Sequence, residues 1–257
     1  IDMRIIITKN YEDMSRKAAN IISAQIITKP NCVLGLATGS TPIGTYKNLV
    51  DWYNKGDLDF SQVSTVNLDE YRGLTHDNDQ SYYYFMHDNL FNHVDIIEEN
   101  VHVPYAYEGA YAESCKAYTE ELKKVSVDIQ LLGIGANGHI GFNEPGTSFD
   151  QETFIVELTE KTREDNKRFF NSIDEVPTHA MTMGIANIMN AKSILMLISG
   201  AGKADTVVNL LKGEIMRVFT KNLTDDGVTL TAYLPDYSNE MKHMAKRPTM
   251  LVLPGGA

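Results

Sequence analysis

Ile129-Gln130-Leu131-Leu132-Gly133-Ile134-Gly135-Ala136-Asn137-Gly138-His139-Ile140-Gly141-Phe142-Asn143-Glu144-Pro145 is the stretch from which the fold can be read. Its apolar start predicts a strand buried on both faces, as in a parallel sheet. The glycines that follow let the backbone turn sharply and approach a ligand closely. His139 and Glu144 then fall just past the carboxyl end of the strand, where open α/β sheets hold their ligands. An imidazole with a carboxylate in reach is a proton-transfer device. The bland alternative is a glycine-rich surface turn carrying a histidine.

On either side of this stretch, short apolar runs at 4–7, 32–36, 64–68, 128–132 and 193–198 alternate with helical patterns. The helical stretches are 11–27, 42–53, 81–91, 110–125, 161–170, 180–189 and 203–211. In the first, Met14, Ala18, Ile21 and Ile22 share one face. Strands alternating with helices predict right-handed βαβ units. The expected fold is α/β: a three-layer, mostly parallel, doubly wound (Rossmann-like) sheet with helices on both faces, in one domain over 1–257. At 257 residues the chain can bury a sizeable core.

A net charge of −11 argues against nucleic acid, whose binding needs a basic face. It also means that an anionic substrate needs a local reversal of the field. Cys32 opens an apolar run and reads as a small core hydrophobe, and Cys115 lies in a helical stretch. Neither suggests a disulfide or a metal site, which fits a reducing, cytoplasmic setting. No run approaches the length of a membrane span, and the first residues lack the apolar core of a signal peptide. The histidines show no HxH or HExxH spacing, so no metal is expected.

Two further loops suggest an anion. Thr38-Gly39-Ser40-Thr41-Pro42 follows a strand and opens a helix. Pro42 suits the first helical position, and Ser40 or Thr41 suits the N-cap. Free backbone N–H groups and the helix dipole there would hold phosphate. A plain capped turn explains the same residues. Ser199-Gly200-Ala201-Gly202-Lys203 ends another strand, and the Lys203 ammonium would offset phosphate charge at the same edge. Asp69-Glu70-Tyr71 stands at the end of 64–68; of two adjacent acids, one can face a pocket while the other bonds to the scaffold. An Asx-type turn is the structural alternative.

Four segments in order resemble the glucosamine-6-phosphate deaminase (isomerase) family: 36–42, 67–71, 133–145 and 199–203. The resemblance runs from about Arg4 to about Glu214. It implies conversion of glucosamine 6-phosphate, a small amino sugar phosphate, and water to fructose 6-phosphate and ammonia. His139 would open the sugar ring, aided by Glu144, and Asp69 would carry a proton from C2 to C1. Phosphate would be held by Gly39, Ser40, Thr41, Arg168 and Lys203. The family implies no cofactor. Where many members carry a second Asp, this chain has Asn137, which cannot ionise but can orient His139. Allosteric members place basic residues where this chain has Phe154 and Val156, so unregulated, near-hyperbolic kinetics and a monomer or small homo-oligomer are expected. The segment 157–177 is a candidate lid.

Two other readings differ in chemistry. A 6-phosphogluconolactonase shares the fold and a similar Gly-x-Gly-x-Asp-Gly-His string. A sugar-phosphate sensor would use the domain without catalysis, behind a DNA-binding helix-turn-helix. Residues 215–257 depart from the deaminase pattern. Arg247-Pro248-Thr249-Met250-Leu251-Val252-Leu253-Pro254-Gly255-Gly256-Ala257 resembles the opening of an α/β-hydrolase-type esterase. This segment reads either as a divergent edge of the main sheet or as a fused fragment, without catalytic work in either case.

Overall fold

The computed structural model describes residues 2–167, 170–212, 230–231 and 249–254. In chain order the strands are β1 (Asp2–Thr8), β2 (Val33–Leu36), β3 (Ser64–Asn67), β4 (Asp69–Tyr71), β5 (Val101–His102), β6 (Ile129–Leu132), β7 (Phe154–Glu157), β8 (His179–Thr182), β9 (Ser193–Leu197), β10 (Leu230–Thr231) and β11 (Thr249–Pro254). The helices are α1 (Tyr11–Thr28), α2 (Ile43–Asn54), α3 (Tyr82–Asn89), α4 (Tyr111–Lys124), α5 (Glu160–Asn166), α6 (Ile185–Met189) and α7 (Ala204–Lys212). No helix among the described residues is long and apolar enough to cross a membrane.

Eight strands form the main sheet in the order β10-β1-β11-β9-β6-β2-β3-β5. All neighbours pair in parallel except β10 with β1. From β2 the chain winds outward through β3 and β5. It then returns to β6, beside β2, and winds the other way through β9 and β11. That reversal between β2 and β6 is the topological switch point, and open α/β sheets hold their ligands outside the carboxyl ends of the strands at such a point.

Strand alternation builds a core on each face. Leu34, Leu36, Leu131, Leu195 and Leu197 pack with Met14, Ile22, Tyr46, Leu49 and Met86 of α1, α2 and α3. Val66, Leu132, Ile194 and Met196 pack with Cys115 and Tyr118 of α4, Ile188 of α6 and Leu210 of α7. Three layers result, as the sequence predicts, and Cys32 is a buried core residue. At the amino end of β6, Asp128 joins three elements. It accepts from Lys29 Nζ at 2.7 Å, Lys192 Nζ at 2.7 Å and Val33 N–H at 2.9 Å.

The structure differs from expectation most beside the site. Residues 180–189 do not form one helix: 179–182 form β8, and α6 begins only at Ile185. The break is at Gly184, where an added Cβ would lie 2.0 Å from the Gln151 carbonyl oxygen. β4, β8 and β7 form a second, antiparallel sheet of three strands. Helix α2 begins at Ile43 with Pro42 as N-cap and no side-chain cap, so neither Ser40 nor Thr41 fills that role. Instead the Gly44 N–H, one of the orphan donors of the first turn, donates to Tyr11 Oη at 2.9 Å. Most of the atypical segment 215–257 lies outside the described residues.

Candidate active site

The loop after β6 is built around its histidine. The Gly135 N–H donates to the His139 carbonyl at 2.8 Å, closing a tight turn, and Gly138 has φ 94°. The imidazole rests against Gly135, where an added Cβ would lie 2.3 Å from the ring. Asn137 bridges the loop. Its Oδ1 accepts from the His139 backbone N–H at 3.2 Å, and its Nδ2 donates to Glu144 Oε2 at 2.6 Å. Asn137 therefore ties the backbone of His139 to the Glu144 carboxylate. Glu144 Oε1 lies 3.8 Å from His139 Nδ1, and both side chains are about 30% exposed.

Asp69 reaches this loop from β4. An added Cβ on Gly141, which has φ 57°, would lie 3.2 Å from Asp69 Oδ2 and 3.1 Å from Thr182 Oγ1. A side chain there would press on the carboxylate and take a left-handed backbone, so the glycine lets the two walls meet. Thr182 is the register partner of Asp69 in β8, and its Oγ1 accepts from Phe142 N–H at 3.3 Å. Asn143 Nδ2 donates to the Met183 carbonyl at 2.8 Å. Tyr82 stacks with Phe142 at 6.3 Å, and Tyr71 lies 6.0 Å from the same ring. The small sheet thus carries Asp69 to within two residues of His139.

Of the two acids, Glu70 takes the scaffold role. Glu70 accepts from the backbone N–H groups of Tyr71 at 2.7 Å, Tyr82 at 2.9 Å and Tyr83 at 2.9 Å, and so caps the start of α3. Burial pushes its carboxyl up to about 7, against those three donors, which favour the charged form. Burial, and next the charge of Glu70, pushes Asp69 up to about 8. Glu70, at a helix N-terminus, ionises first. Asp69 is left as a buried group able to hold or give up a proton near neutrality.

The loops after β2 and β9 carry the residues that the sequence puts forward for phosphate. Gly39 has φ 91°, and Ser40 stands exposed, its carbonyl accepting from Tyr11 Oη at 3.0 Å. Lys203 closes a short 3-10 turn, with its N–H donating to the Gly200 carbonyl at 3.0 Å. Thr206 Oγ1 donates to the Ala136 carbonyl at 2.5 Å, tying α7 to the histidine loop. Since β9, β6, β2 and β3 are adjacent and parallel, all four loops emerge at one sheet edge. Arg168 lies outside the described residues, two positions beyond the end of α5. Sequence reasoning missed Thr182 and Thr162. Gly184, a breaker inside the predicted helix, was the available signal for the first.

A cavity of about 1020 Å³ lies elsewhere, lined by Tyr111, Cys115, Lys116, Glu152 and Phe154 among others and by none of the candidate catalytic residues. Among the described residues no cluster of three or more His, Cys, Asp or Glu could hold a metal ion.

Fold and site together define an α/β domain with acid–base side chains at a parallel-sheet switch point. The family model described as glucosamine-6-phosphate isomerases/6-phosphogluconolactonase matches residues 8–219, and the chain belongs to this family. It is 55% identical over 214 residues to a glucosamine-6-phosphate deaminase of Thermoanaerobacter sp. (strain X514), covering 83% of this chain and 85% of that protein. It is 52% identical to the enzyme of that name from Clostridium perfringens, covering 83% and 88%. Among solved structures, a monomeric glucosamine-6-phosphate deaminase is 41% identical with a TM-score of 0.82 over 97% of each chain. A Thermotoga maritima 6-phosphogluconolactonase, at 17% identity and TM-score 0.66, shares the fold alone.

Proposed function

We propose that the chain converts glucosamine 6-phosphate and water to fructose 6-phosphate and ammonia, as a monomer without allosteric control. The observation that carries this reading is the meeting of Asp69 with the His139 loop at Gly141, in a chain more than half identical to several deaminases. Phosphate is held by Gly39, Ser40, Thr41, Arg168 and Lys203. Binding energy gained there fixes the reacting carbons.

His139 protonates the ring oxygen and opens the sugar, with Glu144 countering the imidazolium charge. Asp69 in its ionised form removes the C2 proton, giving an enolamine across C1 and C2. The same carboxyl returns the proton to C1, which leaves a ketimine at C2. Water adds to C2, the carbinolamine expels ammonia, and the C2 ketone of fructose 6-phosphate remains. A carboxyl raised to about 8 suits both halves of the transfer, since it is neither too weak a base nor too weak an acid near pH 7.

The test is ammonia release from glucosamine 6-phosphate by the chain and by Asp69→Asn. Release by the parent and its loss in the variant is the expected result. Hydrolysis of 6-phosphogluconolactone without ammonia release would assign the fold's other chemistry.

A further inference from the structure

We propose that Thr162 is a positioning residue for Glu144, through which the first turn of α5 holds the carboxylate in place beside His139. Thr159, the N-cap of α5, accepts from the Thr162 backbone N–H at 3.1 Å. Its hydroxyl hydrogen is therefore directed elsewhere, and Thr162 Oγ1 lies 2.8 Å away. With that hydrogen donated to Thr162, the Thr162 hydrogen is available for Glu144 Oε1 at 3.4 Å. Each carboxylate oxygen then has its own donor: Asn137 on Oε2 and Thr162 on Oε1.

Those two donors set the rotation of the carboxylate about its last bond. Oε1, the oxygen that Thr162 engages, is also the one facing His139 Nδ1. A carboxylate gripped at Oε2 alone could swing Oε1 away from the ring. The 3.4 Å separation is long for a hydroxyl donor, but such contacts often tighten when a site closes on its substrate. Neither threonine had a signal in the sequence. Thr162 lies 18 residues from Glu144, and only the entry of α5 from β7 brings them together.

The inference rests on the roles assigned to His139 and Glu144 above, so its test has one arm independent of turnover. That arm follows the imidazole resonances of His139 by NMR against pH, assigned with His139→Gln. Glu144→Gln should lower the titration midpoint, because the imidazolium loses its carboxylate. Thr162→Val, which keeps the shape and removes the hydroxyl, should move it the same way by less. In the turnover arm, Thr162→Val should lower kcat roughly 3- to 10-fold with KM little changed, the scale of one ordinary hydrogen bond, in keeping with the long contact. Thr162→Ser should restore both readouts, and Thr162→Ala carries the same expectation as valine. The proposal is overturned if the valine and alanine variants titrate like the parent, or if serine is as defective as valine. Absence of ammonia release from the parent would instead sink the assigned reaction while leaving the titration arm readable.

Discussion

At the residue scale the site depends on one glycine, one amide and one buried carboxyl, each giving a prediction. Gly135 leaves the space that the His139 ring fills. Gly135→Ala should displace the imidazole by about an ångström and lower kcat on the order of 100-fold, with the fold intact by circular dichroism. Asn137 donates to Glu144 at 2.6 Å, so Asn137→Asp would set two carboxyls against each other. One of the two must then hold a proton, and the pH–rate profile should gain a limb. An unchanged profile counts against the bridging role. Asp69 carries a cost. Its folded-state value of about 8 lies above the unfolded value near 4, so the native state binds the proton more tightly and stability falls as pH rises between the two. Asp69→Asn does not titrate. It should lose ammonia release yet unfold at a higher temperature than the parent, with the gap widening from pH 5 to pH 9. In the parent, kcat/KM should rise with pH along an acid limb well above the usual carboxylate range, reporting the coupled Asp69–Glu70 pair.

At the element scale, long periodic segments were legible and short ones were not. The face of α1 and the apolar run of β6 carry their own signal, because burial against a large sheet imposes period and composition. β4, β7 and β8 have three or four residues each, and they are strands only because segments far apart in the chain supply each other's hydrogen bonds. The 180–189 stretch shows the conflict: Ala180, Met181 and Met183 suit a helix, but pairing of 179–182 with β4 and β7 prevails. Helix α2 likewise takes its capping help from Tyr11, a partner in another helix that no local pattern reveals. Asp128 tests how elements are joined. Burial opposes its charge, but hydrogen bonds from Lys192, Lys29 and Val33 hold it below the usual carboxylate range. Asp128→Asn should lower the unfolding free energy by about 1–3 kcal/mol at neutral pH. The stabilisation is present above the unfolded carboxylate value near 4 and is lost as pH falls through the folded value, so the two proteins should converge in acid.

At the scale of the whole molecule, the switch point between β2 and β6 decides where chemistry can occur, because parallel neighbours deliver their loops to one edge. Phe154 and Val156 lie in β7, and neither can bind a phosphate by charge. Substrate saturation should be hyperbolic, N-acetylglucosamine 6-phosphate should not activate, and the chain should elute near its own mass of 28.7 kDa. Sigmoidal kinetics relieved by that ligand would overturn this. The sequence by itself determined the alternation of strands and helices, the glycine-rich turn and the side chains capable of acid–base work, because hydrophobic period and turn chemistry are local properties. Only the tertiary structure decided that Asp69 lies against Gly141, that Glu70 caps α3 and that Thr162 reaches Glu144. Those contacts join residues from separate elements, and the pKa of a buried carboxyl depends on what surrounds it, which no single segment encodes.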